Sequence, residues 1–220
     1  MTPITTIVFD SYGTLFNVHS LSHRLEEFFP GKGQEISQTW REKQIEYALL
    51  RQIMGNYTTF YEITKDALIY AIKKHGGPVT TEQTKQLVEA YLQLDVFPEV
   101  KAVLSQLKDK QLVIFSNGSL DMLNPVVKNA GLSGIFNHII SVDDIEQFKP
   151  APASYNYATK VLNTKAKNVL FVSANGWDIS GAENYGFHTA WINRKGLPTE
   201  ELELVPDTTY PDLRGILEWI

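Results

Sequence analysis

Residues 6–15 read Thr-Ile-Val-Phe-Asp-Ser-Tyr-Gly-Thr-Leu, an apolar run closed by one acid, a glycine and a hydroxyl. Ile7 to Phe9 has the unbroken apolar character of a strand buried on both faces, and Asp10 stands at its carboxyl end. Gly13 permits a sharp turn directly after it. In open α/β sheets ligands bind at the carboxyl ends of the strands, so a reactive carboxylate is expected there. The plainer alternative is an aspartate that merely caps a turn.

Working outward, the chain stops alternating after Leu15, and residues 17–96 read as helical throughout. Ile36, Trp40, Ile45, Leu49 and Ile53 recur at helical spacing over 34–54. Thr59 with Glu62, and Thr80 with Gln83, look like helix N-termini. From Phe97 the alternation resumes, with strands at 112–115, 138–142, 169–172 and 189–192 separated by helices near 98, after Ser119, and at 153–162 and 178–185. Asp212–Ile220 reads as a docking helix. This order predicts an α/β fold: a doubly wound parallel sheet built from 1–16 and 97–220, with 17–96 inserted as a helical cap, and a cleft between two lobes.

With 220 residues, 20% charged and 43% hydrophobic, the composition is that of an ordinary globular protein. Its net charge of −5 offers no general attraction for nucleic acid or an anionic membrane, so neither is an expected partner. The chain has no cysteine, which removes disulfides and thiolate chemistry and suits a cytoplasmic location. No signal peptide or membrane-spanning stretch is expected.

Three further segments lie at predicted strand ends. Ser116-Asn117-Gly118-Ser119 combines a hydroxyl, an amide and open backbone N–H groups ahead of a helix, which suits an anion; it also suits a plain turn with Ser119 as N-cap. Phe148-Lys149-Pro150-Ala151-Pro152 sets one lysine before a helix that carries Tyr155, although a lone lysine is usually a solvated charge. Ser173-Ala174-Asn175-Gly176-Trp177-Asp178 follows the strand at 169–172. In the helical block, Arg41, Gln44 and Ile45 are spaced to share one helix face. An ion pair of Arg41 with a nearby Glu is the simpler reading there, and Trp40 reads as core. His19 and His23 are four apart in a polar linker with no third ligand. His75 and His138 carry no pattern.

Together these segments resemble the haloacid dehalogenase superfamily, and most closely its L-2-haloacid dehalogenases. The resemblance is carried by Asp-x-Tyr-Gly-Thr-Leu-Phe, Trp-Arg-x-Lys-Gln-x-Glu-Tyr from Trp40, Met54-Gly55-x-Tyr57, Phe115-Ser116-Asn117-Gly118, Phe148-Lys149-Pro150-x-Pro152-x-x-Tyr155 and Val172-Ser173-x-Asn175-x-Trp177-Asp178. It spans the whole chain. Phosphatases of the superfamily have a second Asp where Tyr12 stands, and metal-dependent members have an acid where Ala174 stands. Both losses predict catalysis without Mg²⁺ and without a cofactor. Displacing halide from carbon needs no leaving-group acid, because halide is already a stable anion.

The resemblance implies that Asp10 attacks C2, Thr14 and Lys149 hold its ionised form, and Arg41 with Asn117 receives the halide. It further implies that Ser116 and the backbone at Ser11 and Tyr12 bind the substrate carboxylate; Gln44 and Ile45 on the Arg41 face, and Phe60 and Trp177 as aromatic walls, are the residues expected to line the pocket. Asp178, positioned by Ser173, Asn175 and Tyr155, would activate the water that cleaves the ester, with His188 as the alternative base. A homodimer is expected on the resemblance alone. Glu42 replaces an expected Gln and Ala174 an expected Ser, and Glu42 bears on substrate range. The competing readings are a phosphatase of the same fold, acting on a small phosphomonoester, and a non-catalytic binding module.

Overall fold

The structure, a computed structural model, describes residues 3–220. Its elements run β1 (Thr6–Phe9), α1 (Ser22–Phe28), α2 (Gly33–Met54), α3 (Phe60–Lys74), α4 (Thr81–Tyr91), α5 (Val100–Leu104), β2 (Gln111–Ser116), α6 (Leu120–Asn129), β3 (His138–Ser141), α7 (Pro152–Val161), β4 (Val169–Ser173), α8 (Gly176–Tyr185), β5 (His188–Ile192) and β6 (Thr208–Tyr210). The strands form one six-stranded parallel sheet in the order β3-β2-β1-β4-β5-β6. This is the doubly wound arrangement that the alternation predicts.

β1 lies centrally, paired to β2 through Ile7↔Leu112 and to β4 through Ile7↔Leu170. All four residues of β1 and all five of β4 are buried, which is why these strands read as continuous apolar runs. The winding reverses at β1, so the carboxyl ends of β1 and β4 flank the switch point where ligands bind in such sheets. α8 packs against β4 and β5, and α7 against α8.

The described residues fold into two compact units, 3–16 with 96–117 and 132–220, and 17–95 with 118–131. The second contains α1 to α4, with α2 packed on α3, together with α6, whose Asn129 side chain donates to the Leu92 carbonyl at 3.0 Å. Thr59 and Thr80 cap α3 and α4, accepting from Glu62 N and Gln83 N at 3.3 and 3.2 Å. His23 lies on α1 rather than in a linker, and His19 Nδ1 meets Ser37 Oγ at 3.2 Å.

Two C-terminal features differ from the sequence reading. β6 was not expected, because its three residues are half-buried or exposed and present no apolar run. The segment expected as a docking helix is a 3-10 helix over Leu213–Trp219, started by Asp212, whose side chain accepts from Arg214 N at 2.9 Å. No described helix is long and apolar enough to cross a membrane.

Ile7 is wholly buried in the central strand. Ile7→Ala is expected to cost about 2–5 kcal/mol through lost burial and the cavity left behind. Urea unfolding should show it as a lower midpoint at unchanged slope.

Candidate active site

The site grows from the end of β1. Asp10 N continues the sheet by donating to Val172 O at 2.9 Å, which presents the side chain beyond the strand ends. Gly13 then turns the chain at a φ of 91°, a conformation that a side chain would resist. The N–H groups of Thr14, Leu15 and Phe16 all converge on the Ser11 carbonyl at 3.0–3.3 Å. This tight loop returns the Thr14 hydroxyl to Asp10, to whose Oδ2 it donates at 3.1 Å. The same hydroxyl accepts from Ala174 N at 2.8 Å, tying the loop to the segment after β4.

That segment supplies two more donors to the same oxygen: Asn175 Nδ2 at 2.8 Å and, at 3.4 Å, Ser173 Oγ. Asn175 occupies the N-cap position of α8, yet its side chain makes no capping bond. The amide that would ordinarily satisfy the helix start is diverted to the acid. α8 begins two residues earlier than expected, and Asp178 falls in its first turn.

Lys149 is the centre of the arrangement. Its Nζ donates to Asp10 Oδ1 at 3.0 Å, to Asp178 Oδ2 at 2.6 Å and to the Phe115 carbonyl at 3.2 Å, using all three ammonium protons. The ammonium also lies 5.1 and 5.3 Å from the ring centroids of Phe115 and Phe171. Burial works against its charge, but Asp10 and Asp178 together outweigh that cost and raise its pKa above the usual lysine value. Asn117 fixes the lysine from outside. Its Oδ1 accepts from Lys149 N at 2.8 Å, and its Nδ2 donates to Lys149 O at 3.4 Å. Ser116, at the end of β2, is buried in register with Ser141.

Asp178 is fully buried, and burial pushes its carboxyl up to about 6, against the pull of the Lys149 ammonium. Tyr155 donates to its Oδ1 at 2.8 Å and to its carbonyl at 3.2 Å. Burial beside Asp178 keeps the Tyr155 phenol well above its ordinary pKa, so it stays a donor. His188 stands elsewhere. It begins β5 in register with Leu170, three residues short of Ser173, which is about 10 Å along a strand. Its Nδ1 meets Asp207 Oδ2 at 3.0 Å, and its ring lies 5.7 Å from that of Trp219. Next in sequence to the two acids, Ser11 and Trp177 have their Oγ and Nε1 buried without a hydrogen-bond partner among the described residues.

In the helical unit, Gln44 is fully buried on α2, held by Thr64 Oγ1 at 2.7 Å and the Tyr91 hydroxyl at 3.1 Å. Its Oε1 also accepts from Arg41 Nη1 at 2.7 Å, so a buried amide orients the guanidinium. Trp40 is core, as expected, with Nε1 on Thr64 O at 2.8 Å. Phe60 is buried at the start of α3, and Ile45 is half-buried. Glu42 is exposed and accepts from Gln38 at 3.0 Å.

A family model described as haloacid dehalogenase-like hydrolase matches residues 4–186. The chain belongs to this family. It is 42% identical to haloacetate dehalogenase H-2 of Moraxella sp. (strain B), over 100% of this chain and 99% of that protein. It is 43% identical to an (S)-2-haloacid dehalogenase of Pseudomonas sp. (strain YL), over 98% and 94%. The structure of the L-2-haloacid dehalogenase of Xanthobacter autotrophicus with chloropropionic acid covalently bound superposes with a TM-score of 0.92, at 37% identity, covering 97% of this chain and 96% of that one.

The resemblance to metal-dependent members of the superfamily implies Mg²⁺ at this place, and the residues here do not fit it. Tyr12 and Ala174 stand at two of the acid positions, leaving Asp10 and Asp178 as carboxylates. Lys149 bridges both, and neutral donors occupy Asp10 Oδ2, so the hard oxygens that magnesium requires are already engaged. Among the described residues no three His, Cys, Asp or Glu side chains gather as a metal site.

Sequence reasoning missed Gly181, one turn beyond Asp178 on α8. A Cβ there would lie 2.4 Å from the Tyr155 hydroxyl and 2.6 Å from Pro150 Cβ, so glycine is what admits the phenol to Asp178. A glycine inside a helical pattern was the available signal. Gly→Ala in a helix ordinarily gains up to about 1 kcal/mol. Here overpacking of about 1–3 kcal/mol should reverse the sign. Gly181→Ala is therefore expected to lower Tm in calorimetry rather than raise it.

Proposed function

We propose that this chain hydrolyses the carbon–halogen bond of short L-2-haloalkanoic acids by a covalent, metal-independent route through Asp10. The observation that carries the reading is the Lys149 ammonium shared between Asp10 and Asp178, with neutral donors on the first acid and no second acid at Tyr12. An ionised nucleophile is held in place without a metal, and a second carboxylate waits beside it.

In the first half-reaction an Asp10 oxygen attacks C2, and the carbon–halogen bond breaks with its electron pair leaving on the halide. Among the described residues Oδ2 accepts three donors and Oδ1 only Lys149 Nζ, so Oδ1 keeps the freer lone pair for attack. The reading gives halide capture to Arg41, with the remaining N–H of Asn117 contributing, and the substrate carboxylate to Ser116 and the Ser11–Tyr12 backbone. The unpartnered Ser11 Oγ and Trp177 Nε1 suit substrate oxygen as donors. Gln44, Ile45 and Phe60 supply the rest of the surface around Arg41.

In the second half-reaction water adds to the Asp10 carboxyl carbon and gives a proton to Asp178. The ester oxygen then leaves with the 2-hydroxy acid, taking up a proton. Asp178 suits the task because it shares both Lys149 Nζ and Ser173 Oγ with Asp10, the latter at 3.4 Å to each acid. Its carboxyl at about 6 is ionised at neutral pH but basic enough to accept a proton. His188, three residues down its strand and engaged by Asp207, is poorly placed for that role.

Two further assignments complete the reading. A cytoplasmic location suits a chain without cysteine. A homodimer is supported by Leu50, Ile53 and Met54, which expose one apolar face of α2 at 43%, 82% and 64%. Ile53→Lys should then yield monomers in light scattering; an unchanged mass would reject this face as the contact.

Chloride release from L-2-chloropropionate, but not from the D-enantiomer, should persist in excess EDTA. After single turnover in ¹⁸O-water, mass spectrometry should place the label in the Asp10 carboxylate. Label found directly in the hydroxy acid would mean that water attacks C2 and would sink the covalent route. Asp178→Asn should release one equivalent of halide and then stall with Asp10 esterified. In the unmodified enzyme, hydrolysis of the ester should fall as pH drops through about 6 and Asp178 takes a proton.

A further inference from the structure

Outside the acids and Lys149, one nearly buried cation has no part in the chemistry above. Arg194 follows β5, at the same end of the sheet as Asp10. Its Nη1 lies 2.6 Å from Glu99 Oε1, and its Nη2 donates to the Thr14 carbonyl at 3.1 Å. The guanidinium carbon stands 3.7 Å from the Phe97 ring centroid, a close stack on the aromatic face. The two charged side chains are only 17% and 12% exposed, and Arg194 Nε is buried with no partner among the described residues.

An ion pair of this kind is poor at adding stability, since desolvating both charges and leaving one N–H unmatched offsets much of the attraction. Its geometry is better suited to holding things in place. Phe97 and Glu99 lie just after the point where the chain returns to the sheet unit, and Thr14 lies just before the point where it leaves. Those two segments already touch, with Phe97 N on Leu15 O at 3.1 Å and Phe16 bridged to Val96. Arg194 grips both: one by its ring and carboxylate, the other by its carbonyl. Beyond Thr14 the connection is short, because the hydroxyl of that residue donates to Asp10 Oδ2 at 3.1 Å.

We infer that Arg194, stacked on Phe97 and anchored by Glu99, is a positioning residue that fixes the Thr14 backbone so that its hydroxyl meets Asp10. Lysine could supply the charge but not the planar fork that reaches Glu99 and the Thr14 carbonyl together while lying flat on a ring. The kinetic part of this inference rests on the dehalogenase reading; the structural part does not.

The test has two arms. Hydrogen exchange on the whole enzyme should show the amides of residues 14–16, which close onto Ser11 O, exchanging at least tenfold faster in Arg194→Gln, with β4 unchanged. Equal rates would overturn the clamp whatever the reaction. In single-turnover rapid mixing with enzyme in excess over L-2-chloropropionate, Arg194→Gln should lower the rate constant of the halide burst at least tenfold while leaving its amplitude near wild type. A merely structural role would lower amplitude and Tm instead. Arg194→Lys should remain slow, and full recovery by lysine would show that charge alone matters and reject the inference. Since Arg194 acts through Thr14, the double variant Thr14→Ala/Arg194→Gln should be no slower than the slower single variant; multiplied losses would place Arg194 on another route and overturn the proposal. If Arg194→Gln does not fold, Phe97→Leu keeps the ion pair but removes the stack. It should loosen residues 14–16 and slow the burst by a smaller factor, and no change in either would count against the clamp. Wild-type enzyme that releases no halide would refute the reaction, while exchange would still decide the clamp.

Discussion

One ammonium group organises this molecule. Lys149 Nζ is fully buried between two carboxylates, and each partner would be costly without the others. Removing one member of a buried ionic group typically costs about 3–5 kcal/mol, because it strands the remaining charge away from water. Two acids against one lysine leave the cluster one negative charge in excess. The surroundings answer that excess with neutral donors: Thr14, Ser173 and Asn175 on the first acid, Tyr155 on the second. Asp178, with fewer of these and no exposure, carries the strain as a raised pKa.

The sheet makes this cluster possible. Asp10, Lys149 and Asp178 are scattered over 169 positions of sequence, but β1 and β4 are neighbours and end at the same level. The Phe115 carbonyl at the end of β2 takes the third lysine proton from the other side of β1. β1, β2 and β4 bring Asp10, the Phe115 carbonyl and Ser173 to their carboxyl ends, so the core that buries Ile7, Ile114 and Leu170 also fixes the spacing of these groups.

Much of this was legible in the sequence, for a physical reason. Parallel strands buried on both faces must be continuous apolar runs, so β1, β2 and β4 announce themselves, and the polar residue after each is conspicuous. Asp10, Ser116 and Ser173 were legible on those grounds, whereas Lys149 follows no strand and was legible only through the family resemblance. Other parts leave no such trace. β6 pairs through its backbone with side chains partly in water, and the C-terminal 3-10 helix is too short to show a period. The clamp of Asn117 on the Lys149 main chain depends on a contact across 32 positions that no local pattern encodes. Gly181 is a case between: visible as a breaker in a helix, but meaningful only once Tyr155 is seen filling the space its missing side chain leaves.

The two departures from the phosphatase pattern follow from one choice of cation. A divalent ion would need several free carboxylate and carbonyl oxygens and would offset the negative charge on the oxygens of a transferring phosphoryl group. A lysine delivers one charge through three directed N–H bonds, and three bonds are what the two acids and the Phe115 carbonyl accept. With those oxygens filled, an acid at position 174 would add a second uncompensated negative charge to a cluster already in excess, and Ala174 avoids it. An acid at position 12 would be equally unhelped, and the buried ring of Tyr12 stands there instead. Chemistry whose leaving group is already a stable anion can accept both changes, whereas transfer of a phosphoryl group from an alkoxide could not. The single lysine thus limits what reaction the site can run as firmly as it holds the site together.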